Sequence, residues 1–207
     1  MNILIGGSLS SRDLQHFLKS SYNKGGADYK DFKIDTELSG QRVQVYHNPK
    51  SKQTVVAHRG TQGFQDWVTD ARYAVGDTSS RRFQHSKNIQ KKAEQKYGAN
   101  NVTSIGHSLG SQLAEKSSSK RTKEIITLNK PVSPQDLLFK SVPKKQTDIR
   151  TTLDPVSLLR PLQRGNKTQT ISSRNLNPLT EHSTDTLKRT ATLFGGGLIN
   201  ERCLYCL

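Results

Sequence analysis

Cysteine is nearly absent: two occur in 207 residues, Cys203 and Cys206, both within the last few positions. No disulfide framework can therefore organise the fold. Their C-x-x-C spacing has no histidine or second cysteine pair nearby, so no zinc site is expected, and no other metal or cofactor. Cys206 stands second from the end rather than fourth, which excludes a prenylation box. Long apolar runs are missing too, and without 18 consecutive apolar residues no membrane-spanning helix is expected. The N-terminus has no basic residues, and its apolar stretch, Ile3, Leu4 and Ile5, is too short for a secretory signal. Apolar residues make up 31% of the chain, and adding the 15 glycines raises this only to about 38%, below the usual share of about 45–50%. Mean hydropathy is −0.72, so the core is expected to be lean.

Acidic residues are scarce as well. Seventeen Asp and Glu face 32 Lys and Arg, a formal net charge of +15. That excess favours anionic partners: nucleic acid, an acidic membrane surface or an acidic protein. The cations are scattered, with one local stripe of Arg81, Arg82, Lys87, Lys91, Lys92 and Lys96.

What is present is a single-domain pattern of strands alternating with helices, and no internal repeat. A helix is expected over 11–20 in an otherwise irregular first 40 residues. Alternation predicts strands over 42–47 and 53–58, joined as a hairpin by the turn at Asn48-Pro49. Phe64, Trp67, Val68 and Ala71 recur at i, i+3, i+4 and i+7, the apolar face of a helix. A basic helix is expected over 80–97, closed by Gly98. Strands follow over 125–128, 147–153 and 169–172, and a helix starts near His182. The fold class is α/β, a mostly parallel central sheet with flanking helices and an antiparallel edge.

The chain is organised around Gly106-His107-Ser108-Leu109-Gly110. A β-branched run over 102–105 leads in and a helix-forming run with Leu113 and Ala114 leads out. Strand, sharp turn and helix with a serine at the apex is the geometry of a nucleophile elbow, which needs small residues where strand and helix crowd together. By chance alone a G-x-S-x-G arises in roughly one chain in ten of this length, so the rest of the sequence must support it. A serine nucleophile needs a base and an acid to orient that base. Downstream of Ser108 the chain has one histidine, His182, so the base follows by elimination. The acid belongs just past a strand end; Asp154, followed by Pro155, fits, whereas Asp136 and Asp148 fall before or within elements. The plainer readings are a turn-capping carboxylate for Asp154 and a polar helix start for His182. His16, His47, His85 and His107 read as ordinary surface or structural residues.

Four pieces in order now resemble the class 3 lipase family of α/β-hydrolases. They are residues 55–61 with Asp66, Trp67 and Asp70, the elbow over 106–110, residues 153–156, and Glu181-His182-Ser183. The resemblance covers roughly 42–190. It implies a serine hydrolase of lipid carboxylic esters, a lipase or phospholipase A, with Ser108, Asp154 and His182 catalytic and no cofactor. It also implies oxyanion donors at the backbone N–H groups of Thr61 and Leu109, an Asp70 bracing Arg59 or Thr61, and a lid helix presenting Phe64, Trp67 and Val68 to lipid. The alternative for that helix is simple packing on the core. His58, Ser111 and Asn129 depart from the family's usual residues, which leaves substrate choice open.

The two ends share a second pattern, apolar, any, Gly, Gly, any, in Leu4 to Ser8 and Leu193 to Gly197. It resembles the sites cut by adenovirus-type maturation proteases. Cleavage after Gly7 and Gly196 would leave residues 8–196. The tail 197–207 is similar to the short cysteine-bearing peptide that activates such a protease, with Cys206 as its linking thiol. The expected setting is then cytoplasmic or virion-associated, with an anionic membrane, nucleic acid or a viral protease as partners. The competing reading is a basic virion structural or nucleic-acid-binding protein on an inactive hydrolase scaffold.

Overall fold

A computed structural model describes residues 4–5, 9–23, 25–61, 80–132, 143, 145–157, 168–174, 177–189 and 199–200. The segment with Phe64, Trp67, Val68 and Asp70 lies outside the described residues, as do Gly7, Gly196 and the cysteine tail.

The described strands are β1 (Leu4–Ile5), β2 (Leu9–Ser10), β3 (Lys33–Ile34), β4 (Val43–His47), β5 (Thr54–His58), β6 (Val102–His107), β7 (Glu124–Leu128), β8 (Gln146–Thr151), β9 (Thr168–Ile171) and β10 (Ile199–Asn200). β1 and β2 pair as a short ribbon. The others form one eight-stranded sheet in the order β10-β9-β8-β7-β6-β5-β4-β3. β5 through β9 are parallel neighbours, and antiparallel pairs close both edges. The fold class read from the sequence is the one observed. The hairpin at the edge is also present, β4 against β5, and β3 adds a strand that periodicity did not mark. Two residues are too few to show alternation.

Both sheet faces are covered, as parallel strands require. Helix α1 (Ser11–Ser20) is capped by Ser10, whose Oγ accepts the Asp13 N–H and donates to the Asp13 carboxylate at 2.6 Å. Its Leu14, Phe17 and Leu18 lie at i, i+3 and i+4 and join Val55, Ala57, Ile105, Ile126 and Ile149 in the larger core cluster. Helix α2 (Arg81–Tyr97) starts at the cap Ser80 and places Ile89 and Ala93 on the opposite face with Val45, Val56 and Val102. Alternate residues of β5 thus feed opposite cores, Val55 and Ala57 one way and Val56 the other. Helix α3 (Leu109–Ser117) follows the elbow. Helix α4 (Pro178–His182) ends at His182, where the sequence had suggested a start. The physical reason lies upstream: Asn177 caps the Leu179 N–H at 3.0 Å and Pro178 needs no intrahelical donor at the first position.

Candidate active site

β6 runs into Ser108 without a break in burial, and Ser108 takes φ 56° and ψ −130°, a conformation L-residues rarely adopt. Its N–H donates to Leu128 O at 2.9 Å, tying the turn to the end of β7. The elbow glycines are sterically required. A Cβ on Gly106 would lie 2.2 Å from Gly110 O, and one on Gly110 would lie 2.2 Å from His58 O. Both obstacles are backbone, which cannot rotate away. Ser111 occupies a position where a second glycine is usual in similar elbows, and it fits because its Oγ donates to Gly106 O at 2.8 Å and Leu128 O at 3.1 Å.

The register His58↔Gly106 between β5 and β6 sets Arg59 and Gly60 beside the elbow. A Cβ on Gly60 would meet Tyr22 Oη at 2.4 Å, His107 O at 2.7 Å and Ser108 Cβ at 3.4 Å. The Gly60 N–H is already bonded to the Tyr22 hydroxyl. Thr61 is the next residue at this strand end. Leu109 is the first residue of α3, where a helix has no internal acceptor for its N–H. The Arg59 carbonyl is turned the other way and accepts from Arg82 Nη2 at 2.6 Å.

Asp154 and His182 meet. The His182 Nδ1 lies 2.7 Å from Asp154 Oδ1, with Asp154 fully buried. The other carboxylate oxygen accepts from the Ser157 N–H at 2.9 Å and the Ser157 Oγ at 2.5 Å, which fixes the carboxylate's plane. Asp154 is therefore both the turn cap and the partner of His182; the two readings coexist. Ser108 Oγ is buried and makes no hydrogen bond among the described residues. It sits at the same C-terminal edge of the parallel strands as Thr61, Asn129, Asp154 and the His182 helix, the edge where open α/β sheets place their ligands.

Tyr22 and Arg189 were not singled out in the sequence, and His107, Asn129 and Glu181 were given no role in positioning this site. His107 is buried, and its ring nitrogens contact the Tyr22 hydroxyl at 2.8 Å and the His182 carbonyl at 2.6 Å. A carbonyl can only accept, so Nε2 carries the proton and Nδ1 accepts from the Tyr22 O–H. Burial holds this imidazole neutral, its pKa pushed down to about 3, and raises that of Tyr22 to about 12. The resulting chain, Gly60 N–H to Tyr22 to His107 to His182 C=O, joins the strand end, the elbow and His182. Asn129, at φ 49°, extends its amide to the Glu181 carbonyl at 3.0 Å and accepts the Thr151 N–H at 2.9 Å. The buried Glu181 side chain is held in a two-bonded pair by Arg189 at 2.7 and 2.9 Å. No local signal announces the Tyr22, His107 and Asn129 contacts, because each acts across a long stretch of sequence. His58, buried beneath α2 with Nε2 3.2 Å from Gln90 Oε1, has its pKa lowered to about 4 by burial and faces away from this chemistry.

The chain matches the Tle-like phospholipase domain, a phospholipase-like family, over residues 9–146. It belongs to that family. This Tle-like match includes Ser108 and the β5 end, and stops short of Asp154 and His182. The fold is similar to that of solved lipases. One is a triacylglycerol lipase with a serine protease triad, at TM-score 0.56 and 14% identity, covering 76% of this chain and 77% of that one. Another is lipase II from Rhizopus niveus, at TM-score 0.53 and 17% identity, covering 79% and 78%. A third, a lipase from Rhizopus microsporus var. chinensis, gives TM-score 0.51 and 17% identity over 78% and 74%. No curated protein matches the sequence significantly. Family and fold together support hydrolysis of lipid esters by this Tle-like domain.

Proposed function

We propose that the protein is a serine hydrolase that releases fatty acid from phospholipids. The observation that carries this reading is the 2.7 Å contact between His182 and the buried Asp154 at the same sheet edge as the strained Ser108, within a phospholipase-like family. Ser108 Oγ attacks the ester carbonyl and gives its proton to His182 Nε2, while Asp154 holds the Nδ1–H and stabilises the imidazolium. The N–H groups of Thr61 and Leu109 receive the oxyanion, each such donor being worth about 3 kcal/mol in the transition state. Collapse expels the lysolipid alcohol, protonated by His182, and water then cleaves the acyl-serine by the reverse proton path. The free Ser108 hydroxyl closes on His182 when substrate fills the site, as in other resting enzymes.

On this reading the +15 charge favours an anionic membrane surface. A panel of phospholipids, triacylglycerol and short p-nitrophenyl esters tests it. Wild type should hydrolyse phospholipid best, and Ser108→Ala should lower the rate by at least about 10³-fold. Folded wild type that cleaves no ester would overturn it and leave the non-catalytic basic scaffold.

The paired Gly-Gly sites support a second element, maturation by cuts after Gly7 and Gly196, with the mature enzyme carried in a virus particle and acting on membrane during entry. Mass spectrometry of protein from its native source should find ends at Ser8 and Gly196. Intact Met1 and Leu207 would remove that element without touching the hydrolase.

A further inference from the structure

Six of the described lysines and arginines are not solvent-exposed: Arg59, Arg82, Lys116, Lys130, Arg150 and Arg189. Five of them are engaged. Lys130 pairs with Glu115 and Arg189 with Glu181; Arg150 donates to Thr152 O at 3.0 Å and Arg82 to Arg59 O at 2.6 Å; Lys116 also has a partner. Arg59 is the exception. Among the described residues its guanidinium makes no hydrogen bond or ion pair, and its Nε is buried. Other cations lack ion pairs, Arg12, Arg42 and Lys52 among them, but those are exposed and water solvates them at little cost. Taking an arginine partly out of water with no acceptor is unfavourable unless an anion joins it.

Arg59 lies beside the nucleophile. It follows His58, which pairs with Gly106 of the elbow strand, and precedes Gly60, where a Cβ would come 3.4 Å from Ser108 Cβ. Burial raises the Tyr22 pKa to about 12, and the charges of Arg82 and Arg59 oppose that rise, so both guanidinium groups lie near the hydroxyl that bonds Gly60 and His107. The carboxylates of this edge are turned elsewhere, Asp154 to His182 and Ser157, and Glu181 to Arg189. Thr61 Oγ1 and Ser108 Oγ, like Arg59 Nε, are buried without a hydrogen bond among the described residues. Unsatisfied polar atoms gathered at one strand end mark a site that a polar ligand completes.

We infer that Arg59 is the head-group residue of this enzyme: its guanidinium binds the phosphate of the phospholipid whose ester Ser108 attacks, with Arg82 holding the Arg59 backbone in place. The inference rests on the hydrolase reading above and names the residue that selects a phospholipid over a neutral glyceride. Only glycerol carbons separate the phosphate from the attacked ester, so a substrate seated on Ser108 carries its phosphate close to the neighbouring strand end. Arginine suits this task, because its planar fork can form two parallel bonds to phosphate oxygens and it never loses its charge. A triacylglycerol offers only a neutral acyl ester there and leaves the guanidinium as unsatisfied as before.

Phosphatidylcholine and diacylglycerol with the same acyl chains, each diluted into neutral-detergent micelles, test the inference on the full chain. Both surfaces are uncharged overall, so the net charge of the protein favours neither. Wild type should prefer phosphatidylcholine. Arg59→Met should lower the ratio of kcat/KM for phosphatidylcholine to that for diacylglycerol by roughly 10- to 100-fold, the worth of hydrogen bonds to a charged group, and mainly through KM. Arg59→Lys, which keeps the charge but not the fork, should fall between the two. Arg12→Met, the same change in charge at an exposed position of α1, should leave the ratio unaltered. A ratio that Arg59→Met does not change would overturn the inference, including the case in which both rates fall equally because Arg59 braces the strand end. So would inorganic phosphate binding that needs Arg59 while the ratio stays fixed, the mark of a simple anion site. Calorimetry of dihexanoylphosphatidylcholine binding to the chain carrying Ser108→Ala separates this reading from the hydrolase reading. Arg59→Met should weaken that binding by a similar factor even if wild type cleaves no ester. Binding indifferent to Arg59 would remove the head-group site whatever the hydrolysis assays show.

Discussion

Tyr22 places one hydroxyl between two segments that are remote in sequence, the end of β5 at Gly60 and the elbow at His107. Removing it strands a backbone donor and an imidazole nitrogen in a buried site, a cost of about 1–3 kcal/mol. Tyr22→Phe should therefore lower kcat by about tenfold with little change in KM, because what it loosens is the placement of His182 and Thr61 rather than substrate binding. A fall in melting temperature with unchanged kcat would show the hydroxyl to be merely structural. The neutral histidines make a second prediction. His107 and His58 titrate at about 3 and about 4 in the fold, against about 6.5 in the unfolded chain. Below pH 6.5 the unfolded chain takes up protons that the folded chain refuses, so stability present above that pH is lost as pH falls. The slope is about 1.4 kcal/mol per pH unit for each ring. Denaturant titrations between pH 7 and 4.5, a window above most carboxylate titrations, should show it, and His107→Gln should remove one ring's share. A flat profile would mean that the rings are protonated in place.

At the scale of elements, the β5–β6–α3 junction decides the site. The chain crosses itself so closely at Gly110 that a Cβ would lie 2.9 Å from both Arg59 C and Gly60 N as well as 2.2 Å from His58 O. Gly110→Ala should destabilise the protein by about 3 kcal/mol or more, or prevent folding. Gly40→Ala, where an added Cβ meets nothing within 4 Å, is the matched control and should be nearly neutral in the same denaturation experiment. Comparable stabilities would mean that the junction can open. The elbow was readable in the sequence because its constraint is local: two glycines, one serine and a change of period from 2 to 3.6. Asp154 and His182 were readable through turn position and scarcity. Their orientation was not, because it comes from Ser157, Asn129 and the Glu181–Arg189 pair, which approach from other elements. Helix α4 was misplaced by a few residues because its stop, unlike its Asn177-Pro178 start, has no glycine to mark it.

For the whole molecule, charge is the dominant global quantity. At +15 the folded chain repels itself, and the compact state concentrates that repulsion. Raising sodium chloride from about 0.01 to about 0.15 M shortens the screening length from about 30 to about 8 Å. The melting temperature should rise over that range. The exposed pairs that salt weakens, such as Lys33–Asp28 and Lys50–Asp31, contribute little enough to be outweighed. A melting temperature that falls with salt would show that attractive pairs, not net charge, govern the balance.

The order and type of the principal elements, the α/β class and the choice of Ser108, Asp154 and His182 as candidate residues came from the sequence alone. Each rests on spacing within a short window or on scarcity in the whole chain. Only the tertiary structure decided that His107 is buried and neutral and that Tyr22 reaches Gly60. Those outcomes depend on which distant side chains share a volume once the sheet is assembled. A linear pattern carries no record of distance across the sheet.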